Sequence, residues 1–283
     1  MALQSAPPGA VKRPGGTSPL RLLLRRAYLV PLMTSPVPAS SRPGGTAPLP
    51  RCAVCDAESR QAPFRASQPE QAPDLDLRPG EPVRSAMARW LQQCPSCGYA
   101  APDITKAHPA AALAVAAAPF RALLADASLP PLARRFLAWA HVLEETGALH
   151  AAAEATLQAA WVADDLGLPE FSRAWRQEAV ALWRSGPALD AEQTVRIVDA
   201  LRRASAWDDA GNTAETLAAQ DPPEAVAQVV ALELRLIAVR DTGRHTVASA
   251  LPPPSRRPHA SHHRVASRGP GLLARLRRWL GGH

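Results

Sequence analysis

The chain has 283 residues, 47% of them hydrophobic, and a formal charge of +7, which leaves room for one large domain or two small ones. The charge is unevenly placed: residues 1–51 hold seven cations and no acid, residues 244–283 hold eight arginines and no acid, so 52–243 carries −8. A basic whole-chain balance points to nucleic acid, but here it excludes the middle of the chain from that reading.

Residues 1–50 are rich in Pro, Gly, Ser and Ala without periodicity and are expected to form a disordered basic tail. Within it, Leu20–Met33 is apolar but cut by Arg21, Arg25 and Arg26. It therefore lacks the clean apolar core of about 7–15 residues that a secretion signal needs. No apolar run reaches the roughly 18–20 residues that cross a bilayer. The expectation is a cytoplasmic protein, with Met33 as an alternative start.

Residues 51–105 contain all four cysteines, as the pairs Cys52-Ala-Val-Cys55 and Cys94-Pro-Ser-Cys97, together with turn signals such as Arg78-Pro79-Gly80 and one short helix candidate, Ser85–Gln93. A CxxC turn sets two thiolates about 3.5–4 Å apart, and two such turns complete a tetrahedral zinc site. Gly98 and Asp56 follow the two pairs, and both residue types tolerate the left-handed conformation such a turn requires. With no further cysteine the set is closed, which points to one structural zinc held by Cys52, Cys55, Cys94 and Cys97 rather than a catalytic metal. The 38 residues between the pairs exceed the 15–20 of a compact ribbon, so an insertion is expected between them. The rival chemistry is dithiol redox, which normally sits in a βαβ setting that this sequence lacks.

From 106 to 243 the pattern is helical. Pro130-Pro131 opens a helix to about Thr146, closed by Gly147, with Phe136, Trp139, Ala140 and Leu143 on one face. A second spans about 149–166, with Ala152, Ala155, Ala159 and Val162 together and Gly167 after it. A third runs from Pro169 through Trp175, Ala179 and Leu182 to Gly186; others are expected over 190–204, over 207–219, and from Pro222-Pro223 to near Asp241. Helices of this length on short turns pack as antiparallel neighbours. An aromatic on the first helix and alanines seven apart on the second suit a tetratricopeptide-like hairpin array. The turn glycines, read as Gly147, Gly186 and Gly211, do not keep one period, and a plain helical bundle is the competing architecture.

Several smaller patterns have ordinary explanations. Asp241-Thr242-Gly243 spells the aspartic-protease triplet but stands alone after a helix, where Gly serves as a cap. Asp164-Asp165 reads as a solvated helix end, since adjacent helical residues diverge by about 100°, and His245 reads as part of a surface loop. Residues 244–283 are expected to be a second disordered basic tail. It ends in a short amphipathic segment, Leu272–Leu280, with leucines and Trp279 opposite Arg275, Arg277 and Arg278, suited to a membrane surface or a partner.

The segment WLQQCPSCGYAAPDI, 90–104, resembles the second cysteine knuckle of a bacterial family known only as domain of unknown function 2225. The segment AEATLQAAWVADDLG, 153–167, is similar to a helix of the same family. The resemblance covers about 50–245 and implies a split zinc-ribbon-like module joined to tetratricopeptide-like helices, without implying a substrate. The chain departs from the family at its first pair, where CAVCD stands for the more usual CPxCG. The combined expectation is a mainly α protein without enzymatic activity, whose helical groove, flanked by Trp139, Trp161, Trp175 and Trp183, holds a protein segment; some of these tryptophans must instead belong to the core, and the pattern does not sort them. The alternative is a nucleic-acid-binding zinc ribbon that uses the Arg-rich tails.

Overall fold

The computed structural model describes residues 49–251 apart from Ala66. The tail 1–48, the start at Met33 and the segment Leu272–Leu280 lie outside the described residues. The described chain is mainly α. After the first cysteine pair comes a long extended segment, then a 3-10 turn, Arg84–Arg89, and a two-stranded antiparallel sheet. Strand β1 (Gln92–Gln93) pairs with β2 (Ala100–Ala101), Gln92 opposite Ala101 and Gln93 opposite Ala100. The helix expected over Ser85–Gln93 is thus only the 3-10 turn, because Gln92 and Gln93 are taken into the strand pairing across the second knuckle.

Two short helices follow, α1 (Ala111–Ala116) and α2 (Ala118–Ala125), then six long ones: α3 (Pro131–Glu145), α4 (Leu149–Asp165), α5 (Pro169–Ser185), α6 (Ala191–Arg203), α7 (Trp207–Ala218) and α8 (Glu224–Ala238). A last turn, α9 (Val247–Ala250), closes the fold. Their starts use the expected devices. Proline lies in the first turns of α3 and α5, and at α6 the Asp190 carboxylate accepts from the Gln193 N–H at 2.8 Å while Gln193 Oε1 accepts from the Asp190 N–H at 3.0 Å.

Four of the long helices end alike. Gly147, Gly167, Ser205 and Arg240 adopt φ of +73°, +66°, +62° and +53°. The N–H that follows each returns to a carbonyl five residues back, as from Ala148 to Leu143 at 3.0 Å and from Ala206 to Leu201 at 2.9 Å. This satisfies carbonyls the helix leaves open. Gly211, read above as a turn glycine, lies inside α7; the turn before α7 is made by Ser205, a small polar residue that the returning hydrogen bond holds in the left-handed region.

Successive helices from α3 to α8 pack on each other, α6 also touches α8, and α1 and α2 join onto α3. Helix α4 is central: Ala152, Ala155, Ala159 and Val162 are buried as expected, and so are Ala153, Leu157, Ala160 and Trp161 on its other sides. Small side chains let its neighbours approach closely, and burying Trp161, Trp175 and Trp183 supplies much of the apolar stabilisation. A second core gathers Leu75, Val198, Leu217, Val226, Val230 and Val247 around α6–α8.

The segment between the cysteine pairs is a strap laid across the helices. Leu75 N–H donates to the His245 carbonyl and Val247 N–H to the Pro73 carbonyl, both at 2.9 Å. Residues 244–251 therefore belong to the fold, with Val247 buried, and the second tail does not begin at 244: the strap supplies the strand-like partner that these residues lack in sequence.

Candidate metal centre

The four cysteines, 39 to 45 residues apart across the two pairs, converge. Their sulfurs all lie within 4.8 Å of one another, with Cys52 Sγ 3.7 Å from Cys97 Sγ and Cys55 Sγ 3.6 Å from Cys94 Sγ. Sulfurs bound at about 2.3 Å to one tetrahedral zinc stand about 3.8 Å apart, and the two cross-pair distances match that spacing, so the donor set fits such an ion. Cys52 and Cys94 are buried, Cys97 is half-buried and Cys55 is exposed.

The two knuckles are built alike despite their different sequences. In the first, Asp56 N–H donates to the Cys52 carbonyl at 2.9 Å and Cys52 N–H to the Ala57 carbonyl at 3.0 Å. In the second, Gly98 N–H donates to Cys94 at 3.0 Å and Cys94 N–H to Tyr99 at 2.9 Å. The left-handed position is held by Asp56 at φ +58° and by Gly98 at φ +78°. CAVCD thus makes the same turn as CPSCG. Glycine suits 98 for a second reason as well: a Cβ there would lie 2.1 Å from Leu124 Cδ1, so that side chain would have to shift. Antiparallel pairing flanks both turns, Arg51 with Glu58 and Gln93 with Ala100.

The thiols repel each other's charge. Burial pushes Cys97 well up, and the other three thiols add to the effect; burial also raises Cys52, against the N–H groups of Val54 and Cys55. Cys55 goes the other way. Burial opposes ionisation there too, but the Ala57 N–H and the neighbouring thiols bring it down to about 7. Ionisation is thus favoured at Cys55 and opposed at Cys52 and Cys97 unless a cation joins them, the behaviour of a metal site rather than of a set of independent thiols.

The module is fastened to the array by Trp90. Its ring meets Phe136 and Trp161 edge-on, each at 6.4 Å between centroids. The strap adds a buried ionic cluster with no sequence signal. Asp76, fully buried, accepts from Trp161 Nε1 at 2.7 Å and from Arg203 at 3.1 Å. Asp164 accepts from Arg176 and Arg203, each at 2.7 Å, and from the Ser172 hydroxyl at 2.5 Å. Arg78 of the strap pairs with Asp165. Burial works against the charge on Asp76, but Arg203 and Arg176 overcome it and hold its pKa below the usual range. Asp165 is exposed at the helix end as expected, but Asp164 is not solvated in the same way; it is an anchor of this cluster. These partners are up to 127 residues apart, beyond any spacing rule.

A second buried set joins Arg202 to Asp199 at 2.6 Å and to Glu233 at 2.7 Å. Asp241 caps its own turn through the Gly243 N–H and meets His245 Nε2 at 2.9 Å, which accounts for the Asp-Thr-Gly triplet. Of the four tryptophans assigned to a groove, Trp161, Trp175 and Trp183 are core, at 1–2% exposure. Only Trp139 reaches the surface, half-buried against the His108 ring at 5.4 Å. The array is thick enough for α4 and α5 to turn their aromatics inward, so no tryptophan-lined groove exists among the described residues. No described helix is long and apolar enough to cross a membrane. No family model, curated protein or solved structure matches the chain.

Proposed function

We propose that the protein is a cytoplasmic, non-catalytic interaction module in which one zinc ion per chain, held by Cys52, Cys55, Cys94 and Cys97, fixes a ribbon-like module onto a tetratricopeptide-like hairpin array. The observation that carries it is the convergence of four thiol sulfurs on two matching knuckles. A bound zinc would supply structural stabilisation on the order of 10 kcal/mol and no open coordination position. The order of parts, knuckle, knuckle, hairpins, is what the resemblance to the family of unknown function 2225 implies, and that membership is part of the proposal. Asp76 and Asp164 are engaged by Arg176 and Arg203, and Glu233 by Arg202, inside the protein, which supports reading them as structural rather than catalytic. The test is elemental analysis with thiol titration on protein purified without added metal. One zinc per chain and four protected thiols are expected; a metal-free protein with Cys52–Cys55 or Cys94–Cys97 oxidised would favour redox chemistry instead.

A further inference from the structure

Between the second knuckle and helices α1–α3 lies a groove of about 1170 Å³, lined on the knuckle side by Pro95–Gly98. Arg60 and Arg89 line it from the module, Arg121 from α2, and Arg134 and Arg135 from α3, against a single acid, Glu58. Glu58 is already neutralised by Arg51 at 2.7 Å. Among the described residues none of the five groove arginines forms an ion pair, whereas Arg78, Arg176, Arg196, Arg202 and Arg203 all do. Arg134 and Arg135 instead donate to backbone carbonyls, of Asp126 at 2.9 Å and of Ala88 at 2.9 Å. Arg135 Nε is buried with no partner. A concentration of uncompensated guanidinium groups stands out on a middle region whose net charge is −8. Arg134 and Arg135 are half-buried, where a cation without a counterion is costly, and Arg60, Arg89 and Arg121 are exposed around them; an incoming carboxylate would offset the cost at the first two and find bidentate hydrogen bonds at all five.

We propose that this groove is the docking surface of the module and that its occupant is an acidic peptide segment of another protein. The proposal deepens the interaction-module reading and rests on it. Residues 1–51 and 244–283 contain no acid, so neither segment is the occupant. The lining has no aromatic side chain, so it offers no platform on which the bases of a single strand would stack. It does offer Leu91, Val115 and Leu124 beside the arginines, a mixture suited to peptide side chains. Because Pro95–Gly98 line it, the groove keeps its shape only while the second knuckle does.

The test is fluorescence anisotropy of a labelled deca-glutamate peptide against the full chain at physiological salt. Arg89→Glu with Arg121→Glu, both exposed positions, should weaken binding about tenfold or more. The same charge change at exposed Arg235 and Arg240 should leave it unaltered, and helicity by circular dichroism should match in all three proteins. Equal weakening by both reversals, or no saturable binding by the wild type, would overturn the proposal. Tighter, equally arginine-dependent binding of a labelled oligothymidine would replace it with a nucleic-acid site. A wild-type dimer that the groove reversal dissociates would replace it with a second copy. Zinc measured on the same samples separates the levels: full metal without peptide binding removes the groove alone, and absent metal removes the reading beneath it.

Discussion

Residues 52–104 and residues 131–238 reach a fixed structure by opposite means. In the first, two strands of two residues and one 3-10 turn accompany four thiols, and the buried apolar side chains are few: Leu75, Val83, Met87, Leu91, Tyr99, Ile104 and small neighbours. In the second, six helices of 12 to 17 residues bury three tryptophans and a row of alanines, with arginine–carboxylate pairs inside. A core that small does not hold a fold without a metal or disulfide, while helical hairpins of this length hold themselves by packing. The difference teaches where each region is vulnerable: the module to loss of its ligands, the array to loss of buried volume or charge balance.

The largest expected effect is at the thiols. Cys94→Ser should abolish metal binding worth on the order of 10 kcal/mol and open 52–104 to proteolysis, with the helical signal of circular dichroism nearly intact; loss of the helical signal as well would make the two regions one cooperative unit. Next comes the strap. Asp76→Ala leaves Arg176 and Arg203 short of a buried partner and should cost about 3–5 kcal/mol in denaturant unfolding. Metal content should stay at one ion per chain.

Glycines give a matched pair across the two regions. Gly98 and Gly147 have similar φ, +78° and +73°, but a Cβ at 98 meets Leu124 while one at 147 meets nothing within 4 Å. Gly147→Ala should therefore cost only the left-handed penalty of about 1–2 kcal/mol. Gly98→Ala should cost more and lower metal affinity, and equal costs would show that the knuckle has room to yield.

The smallest effect is a slope with pH. Glu233 is pushed well above the ordinary glutamate range, first by burial and then by the Asp199 carboxylate beside it, against the pull of Arg202. The folded state then keeps a proton that the unfolded chain releases above about pH 4.3, so this group's contribution is full below that pH and declines as pH rises toward the raised value. Glu233→Gln should flatten the fall of the unfolding midpoint as pH rises above about 4.3; an unchanged slope would place the proton elsewhere.

How far the sequence reaches follows the same division. The hairpins are legible because proline opens helices and glycine closes them at fixed backbone conformations, and the ends of α3, α4 and α5 fall within a residue or two of expectation. The thiol set is legible because CxxC is a local geometry. Illegible are the features made by distant partners: the strap that ties Asp76 to Arg203, the strand-like pairing of Val247 with Pro73, and the groove that assembles arginines from residues 60 to 135. The tryptophans could not be sorted because α4 is buried on nearly every side, so periodicity marks no outward face.

The division is tested most directly by hydrogen exchange on the metal-loaded protein and on the same protein after chelation. The expected result is that the amides of Cys52, Asp56, Cys94 and Gly98, which close the two knuckles, lose their protection on chelation while those of α4 to α8 keep theirs. Unchanged protection at the knuckles would contradict a metal-held module, and collapse of protection throughout α4–α8 would contradict an array that stands by its own packing.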